Sequence, residues 1–115
     1  MTLMTMPFLV TNVRDAESWF QVLQTTEHSQ TAVMTLKPHG ESSEEMNVHK
    51  KSDQVVLVLE GEIEAEVGDV TRTLKTGDTC IIPAGTPHRL NNVSDREAVT
   101  FNVYSPPEYS SHEQG

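Results

Sequence analysis

Cysteine, aromatic residues, basic residues and long apolar runs are all scarce in this sequence. The single cysteine, Cys80, cannot close an internal disulfide or form a thiolate cage with a second sulfur, so nitrogen and oxygen donors must bind any metal. No apolar run approaches the roughly 20 residues that span a bilayer. Residues 1–13 lack the basic start and small-residue cleavage site of a secretion signal. We therefore expect a cytoplasmic protein without a membrane partner.

Basic residues are outnumbered, with 8 Lys and Arg against 17 Asp and Glu and a formal net charge of −9. A field of this sign repels nucleic-acid phosphates and anionic lipid headgroups within a Debye length. Nucleic acid is therefore an unfavourable partner. Solubility explains the charge, and the alternative is that it steers a cationic ligand.

The length of 115 residues, 36% of them hydrophobic, is enough for one core and too short for two. We expect a single domain over residues 1–115, with an N-terminal arm at 1–30 and a barrel at 31–104. The polar, proline-containing segment 105–115 is expected to form a tail.

Turn signals are the most regular feature of the chain and recur about every 8–12 residues, which predicts an all-β sandwich or barrel. They are Lys37-Pro38-His39-Gly40, Glu60-Gly61, Gly68-Asp69, Thr76-Gly77-Asp78, Pro83-Ala84-Gly85-Thr86-Pro87 and Asn91-Asn92.

The segments between these turns have the composition of strands. Residues 62–67 alternate Glu with Ile, Ala and Val, which predicts a strand with one wet face. Residues 31–36 and 98–104 mix β-branched, aromatic and polar residues. Residues 55–59 are apolar throughout and are expected to be covered on both faces. The one candidate helix is 14–23, where Trp19, Phe20 and Leu23 are spaced as on a helical face.

Four side chains could converge on one point. Asn47 and His49 are two residues apart, so on a strand both face the same side. Gln54 opens the next strand, and His88 follows the turn 83–87, whose two prolines fix its approach. Two distant histidines alone are more often surface or hydrogen-bonded core residues than ligands.

The pattern around His88 is more specific. From Gly77 the sequence reads glycine, five residues, Pro83, one residue, Gly85, two residues, His88, three residues and Asn92. This spacing resembles the second conserved motif of the cupin superfamily at every fixed position.

The first cupin motif is matched in part. The resemblance runs through Gly40, Asn47 in place of the usual first His, His49, Gln54 in place of the usual Glu, and Gly61. It covers residues 31–104 and implies a jelly-roll barrel, a double-stranded β-helix, with a metal at positions 47, 49, 54 and 88. The implied cofactor is a divalent transition metal such as Zn, Ni, Fe, Mn or Cu. Because two of the four donors are neutral amides, we expect weaker metal binding than in a three-His, one-Glu cupin.

A general base is harder to assign, and Glu45 and Tyr104 are candidates by placement alone. Glu45 shares the face of Asn47 but lies one strand period, ~6.6 Å, further along. It is therefore either an outer or substrate-facing group, or a solvated loop carboxylate. Cys80 reads as a small core residue, and the remaining histidines, His28, His39 and His112, are expected at the surface.

These features support two functional hypotheses. The first is a metal-dependent enzyme that acts on a small organic molecule inside the barrel; relatives of this type include dioxygenases, isomerases, decarboxylases and lyases, so the fold does not choose the reaction. The alternative is a binding or sensing cupin whose metal site is weakened or absent; a purely structural cupin is a third possibility. The apolar residues 8–10 resemble an extra strand that could pair at a sheet edge, which predicts a homodimer.

Overall fold

The computed structural model describes residues 8–110, whose regular elements are antiparallel strands and one short helical turn. The strands are β1 (Phe20–Thr25), β2 (Gln30–Leu36), β3 (Asp53–Glu60), β4 (Glu62–Val67), β5 (Val70–Lys75), β6 (Thr79–Ile82), β7 (His88–Asn91) and β8 (Ala98–Ser105). One turn of 3₁₀ helix, Val13–Asp15, precedes them. Within residues 8–110, no helix has the length and apolarity needed to cross a membrane.

The strands form two facing sheets. One has five strands in the order β1-β2-β8-β3-β6, and the other has three in the order β5-β4-β7. Strand β8 lies between β2 and β3 and pairs with both along nearly its whole length. This arrangement is a double-stranded β-helix, so the expected all-β jelly-roll class is confirmed. The five-stranded sheet already begins at Phe20, before residue 31.

The core lies between the two sheets and follows the period of two along each strand. On β4, Ile63 and Ala65 are buried while Glu62 is exposed, as the alternation in the sequence predicts. On β8, the inward residues from Ala98 to Tyr104 are buried at every second position. Cys80 is half-buried and packs against this core.

Strand β3 differs from the expectation that both its faces are covered. Val56 and Val58 are buried, but Val55 and Leu57 are only half-buried and Leu59 is exposed. The outward side chains lie on the outer face of the five-stranded sheet, which no other described element covers fully. The apolar run therefore does not mark a strand buried on both sides.

The predicted helix at residues 14–23 is wrong. Only Val13–Asp15 is helical, and Phe20–Thr25 forms β1, which pairs with β2 through Phe20 and Met34. Phe20 is buried and Val22 packs against the core, so the period of this segment is two. Pairing with a neighbouring strand overrides the local spacing that favoured a helix.

One glycine is required by the turn between β3 and β4. Gly61 has φ +78°, and a Cβ atom there would lie 2.8 Å from the carbonyl oxygen of Glu97. Both the left-handed backbone and the close approach exclude a side chain. This glycine therefore allows the β3–β4 turn to pack closely against the backbone at the start of β8.

Candidate functional site

A cavity of about 210 Å³ opens at one end of the barrel between the two sheets. Its polar lining includes His49, His88, Gln54 and Asn47, the four side chains expected to converge. The first three are buried, whereas Asn47 is exposed at the mouth. The structure therefore places all four predicted residues around one space, with the amide of Asn47 outermost.

His88 is the first residue of β7 and is oriented by the turn that precedes it. Its Nδ1 lies 3.0 Å from the carbonyl oxygen of Thr86. A carbonyl only accepts hydrogen bonds, so Nδ1 carries the proton and Nε2 keeps its lone pair. Burial lowers the pKa of His88, although the bond to Thr86 opposes that shift. The ring is therefore neutral at pH 7 and can bind a metal through Nε2.

His49 lies in the loop before β3 and is oriented in a similar way. Its Nδ1 lies 3.2 Å from Oε2 of Glu108, and its backbone carbonyl accepts a hydrogen bond of 2.8 Å from the amide of Gly85. A carboxylate only accepts hydrogen bonds, so this contact favours a proton on Nδ1 of His49 and a lone pair on Nε2. The ring centroids of His49 and His88 are 4.8 Å apart.

Asn47 is fixed by its backbone rather than by a continuous strand. It forms an isolated antiparallel bridge with His88, with hydrogen bonds of 2.7 and 2.8 Å between the two main chains. The loop that carries His49 is thus joined to the strand that carries His88. The expectation that Asn47 and His49 share a regular strand is wrong, yet both line the cavity.

Gln54 presents an unpaired oxygen. Its Nε2 donates to Oδ1 of Asn102 at 3.0 Å, and Nδ2 of Asn102 donates to Oγ1 of Thr100 at 3.0 Å. This relay fixes both amide orientations and leaves Oε1 of Gln54 as the acceptor that remains. Among the described residues, Oε1 of Gln54 is buried without a hydrogen-bond partner. Such an atom costs free energy unless a ligand or cation uses it.

Aromatic rings form much of the remaining wall. Tyr104 is buried and packs edge-on against His49, with ring centroids 5.3 Å apart. Burial raises the pKa of Tyr104 well above its usual value, and the neighbouring Tyr109 adds to the shift. The phenol therefore stays protonated at neutral pH, which suits a hydrogen-bond donor better than a base. Trp19 is half-exposed at the rim.

The other sequence candidates lie away from this cavity. Glu45 is exposed and is not part of the lining, so its role stays a prediction. His28 and His39 are exposed as expected, and His39 lies 2.7 Å from Asp95. His112 lies outside the described residues.

Sequence reasoning missed Glu108 and Tyr109, which the expected tail contains. Tyr109 lines the cavity and Glu108 contacts His49. The available signal was the pair Pro106-Pro107, which restricts the backbone just before them. No periodicity marks such a segment, and its anchor, Gln30, is 79 residues from Tyr109 in sequence.

The donor set fits a transition metal of borderline softness. Two imidazoles and one unpaired amide oxygen are nitrogen and oxygen donors suited to such ions. Within residues 8–110, no group of three His, Cys, Asp or Glu side chains is arranged for a metal. Amides must therefore supply part of any shell, and the site would bind its ion modestly.

Comparisons with known proteins agree with this architecture. Residues 32–104 match the family described as "Cupin domain". An uncharacterized protein of Acanthamoeba polyphaga mimivirus is 31% identical over 93 residues, which cover 77% of this chain and 57% of that protein. The chain spans about half the length of the curated relatives it matches.

Two solved structures illustrate the fold. A Bacillus halodurans protein superposes with a TM-score of 0.84 at 21% identity, over 94% of this chain and 88% of the other. A sugar phosphate isomerase of a cupin superfamily, from Silicibacter pomeroyi, superposes with a TM-score of 0.63 at 24% identity, over 70% of this chain and 52% of the other. At these identities the likeness concerns the fold.

Proposed function

Since the chain belongs to the cupin family, we propose that it is a metal-dependent enzyme that acts on a small organic molecule inside the barrel. The observation that carries this proposal is the set of available donors in one cavity. Nδ1 of His88 is hydrogen-bonded to a carbonyl oxygen and Nδ1 of His49 lies 3.2 Å from the carboxylate of Glu108, while Oε1 of Gln54 is buried without a hydrogen-bond partner among the described residues. Hydrogen bonds of this kind to the non-ligating nitrogen are typical of metal-binding histidines.

In this proposal His49 and His88 hold a divalent transition metal, Gln54 completes the inner side of the shell, and Asn47 adjusts its outer side. A bound metal of this type would supply Lewis acidity or activate oxygen. The chain itself orients both rings, excludes water with its aromatic wall and offers the neutral phenol of Tyr104 as a donor. Glu45 remains the alternative candidate for proton transfer, although it lies outside the cavity lining.

The lining favours an uncharged, ring-containing substrate. The cavity of about 210 Å³ has room for a molecule of roughly ten heavy atoms beside a metal. Aromatic side chains form much of its wall, and no Lys or Arg of the described residues lines it. A phosphate or sulfate group would therefore lack a cationic side chain. This argues against a sugar phosphate, although one structural neighbour is a sugar phosphate isomerase.

Metal stoichiometry tests the proposal. Purified protein should bind one equivalent of Ni²⁺, Zn²⁺ or Mn²⁺ per chain by calorimetry and elemental analysis. The double variant His49→Ala, His88→Ala should bind none, while His39→Ala, which removes an exposed imidazole, should match the wild type. A full equivalent in the double variant would refute the site and the enzyme with it.

A second candidate function is favoured by the amide at position 54. If the neutral donors hold no metal, the same cavity suits a non-catalytic module that binds an uncharged molecule for sensing or storage. Absence of measurable metal binding, together with saturable binding of small aromatic compounds, would support this candidate. The two functions are thus separated by the same calorimetric titration.

A further inference from the structure

The segment after β8, Pro106–Tyr109, folds back across the cavity, and we refer to it as the C-terminal strap. Gln30, a buried residue of β2, holds its backbone. Nε2 of Gln30 donates to the carbonyl oxygen of Tyr109 at 2.7 Å. Oε1 of Gln30 accepts from the amides of Glu108 and Tyr109 at 3.1 and 2.9 Å. A fully used buried amide therefore fixes the strap at both of its last residues.

Further contacts also hold the strap in place. Oγ of Ser52 donates to the carbonyl oxygen of Pro106 at 2.7 Å. The ring of Tyr109 packs edge-on against Phe20 and Tyr104, with centroids 5.0 and 5.2 Å apart. All of these contacts use the backbone of the strap or the side chain of Tyr109, so none depends on the carboxylate of Glu108.

The side chain of Glu108 is thereby left for His49. This side chain is 26% exposed, and its Oε2 lies 3.2 Å from Nδ1 of His49, whose side chain is 5% exposed. Within residues 8–110, Glu108 is the charged side chain in contact with that ring. The contact favours a proton on Nδ1 of His49, as the hydrogen bond to the carbonyl oxygen of Thr86 does for His88.

The charge of Glu108 matters because the inner donors carry none. Amides and metal-bound imidazoles contribute no negative charge, so a dication held by Gln54, Asn47 and the two histidines would lack a charged ligand. A carboxylate hydrogen-bonded to the far nitrogen of a ligating imidazole raises the basicity of that ligand. A metal on one ring nitrogen makes the N–H proton on the other more acidic, and the neighbouring carboxylate then attracts that proton more strongly.

We propose that Glu108 is a positioning residue that orients His49 and supplies, through its imidazole, the negative charge that the amide at position 54 does not provide. This inference rests on the proposed function. It assigns the C-terminal strap a role in tuning the metal, in addition to closing the cavity with Tyr109. Glu108 does not itself contact the ion in this arrangement.

Two variants of one residue separate charge from orientation. Glu108→Gln keeps the size and an acceptor oxygen but removes the charge, and Glu108→Ala removes both. Glu62→Gln, on the exposed face of β4, is the matched control because it removes the same charge far from the cavity. The amide signal of Tyr109 in a ¹⁵N-correlation spectrum reports whether Gln30 still holds the strap.

The first measurement uses metal-free protein and needs no activity. Long-range ¹H–¹⁵N spectra should show His49 protonated at Nδ1 in the wild type and in Glu108→Gln, and as a tautomer mixture in Glu108→Ala. An unchanged tautomer in Glu108→Ala, with the Tyr109 amide signal in place, would overturn the orienting role.

The second measurement is Ni²⁺ affinity by calorimetry. We expect Kd to rise about 10- to 100-fold in Glu108→Ala and by a smaller factor in Glu108→Gln, with no change in Glu62→Gln. A Kd within twofold of the wild type in Glu108→Ala would overturn the proposal while leaving the proposed function intact. Complete loss of binding in Glu108→Gln would also overturn it, because the carboxylate would then be a direct ligand. A wild-type protein that binds no metal would instead refute the proposed function.

Discussion

Replacing Gln54 by Glu should have opposite effects on the metal-free and metal-bound protein. In the metal-free state the new carboxylate would be 3.0 Å from Oδ1 of Asn102, an acceptor whose own amide is fixed by Thr100. The hydrogen bond is lost and a buried charge is left unpaired. With a metal bound, the same charge lies beside a dication.

The two magnitudes can be worked out separately. An unpaired buried charge costs about 3 kcal/mol of unfolding free energy, which lowers Tm by roughly 10–15 °C in a domain of this size. Two unit charges ~4 Å apart attract by about 4 kcal/mol at an effective dielectric constant of ~20, and a dication doubles this. Burial of the carboxylate offsets most of that gain. A net gain of about 1–3 kcal/mol corresponds to a Kd that is roughly 5- to 150-fold lower.

Thermal unfolding with and without metal is the assay. Measurements at pH 8 favour the ionised carboxylate, with EDTA in one series and 1 mM Ni²⁺ in the other. In EDTA the Tm of the variant should be well below that of the wild type. The increase in Tm on adding Ni²⁺ should be larger for the variant than for the wild type. Gln24→Glu, on the edge strand β1 and outside the cavity lining, is the matched control and should change neither value by more than a few degrees.

The reasoning has one clear refutation. If Gln54→Glu unfolds at the wild-type temperature in EDTA and gains no more from Ni²⁺, the side chain at position 54 does not face a metal. If the variant is destabilised in EDTA but gains no more from Ni²⁺ than the wild type, the buried amide relay is supported and a ligand role for this position is excluded.

Three further predictions follow from the fold. Ala65→Glu should lower the unfolding free energy by more than about 4 kcal/mol, because Ala65 is 3% exposed. Glu64→Gln on the opposite face should change it by less than about 0.5 kcal/mol. Equal effects in chemical denaturation would mean that the register of β4 is wrong. Because burial lowers the pKa of His88, the unfolded chain binds a proton at this residue at a higher pH than the folded protein does. Metal-free protein should therefore lose stability as pH falls below about 6.5. His88→Gln should lack this part of the dependence of Tm on pH, and a curve identical to that of the wild type would contradict the assignment. Finally, residues 8–10 are exposed, and the carbonyl oxygen of Leu9 accepts a hydrogen bond from Gln24 on the edge strand β1. Light scattering should therefore give twice the 12.8 kDa of one chain, and a constant monomer mass at micromolar concentrations would exclude the dimer.

The strands and turns of this protein could largely be predicted from its sequence. The alternation in β4 and the glycine- and proline-containing turns are local signals, and His88 follows such a turn directly. The grouping of His49, Gln54 and His88 could be proposed because each residue stands at a position of one of the two cupin motifs. The buried position of each around one cavity agrees with that proposal.

The remaining features depend on contacts between distant parts of the chain. The spacing around Trp19 favoured a helix until pairing with β2 made Phe20–Thr25 a strand. The approach of Glu108 to His49 requires the anchor at Gln30, which no local pattern announces. The unpaired oxygen of Gln54 depends on the relay through Asn102, a residue 48 positions away. Sequence periodicity describes faces of strands, and it does not describe such long-range polar contacts.

The central position of β8 determines when this protein can fold during synthesis. Strands β2 and β3 flank β8 and do not pair with each other, so the five-stranded sheet cannot close until the ribosome has released residue 105. Hairpin β4–β5 can form early because its partners are adjacent. Until then the nascent chain exposes strand edges that invite aggregation, and its non-local topology favours folding in milliseconds to seconds. Asn102 and Tyr104 lie on β8, so the cavity takes shape only in this last step, and a chain that stops short of β8 should have no site at all.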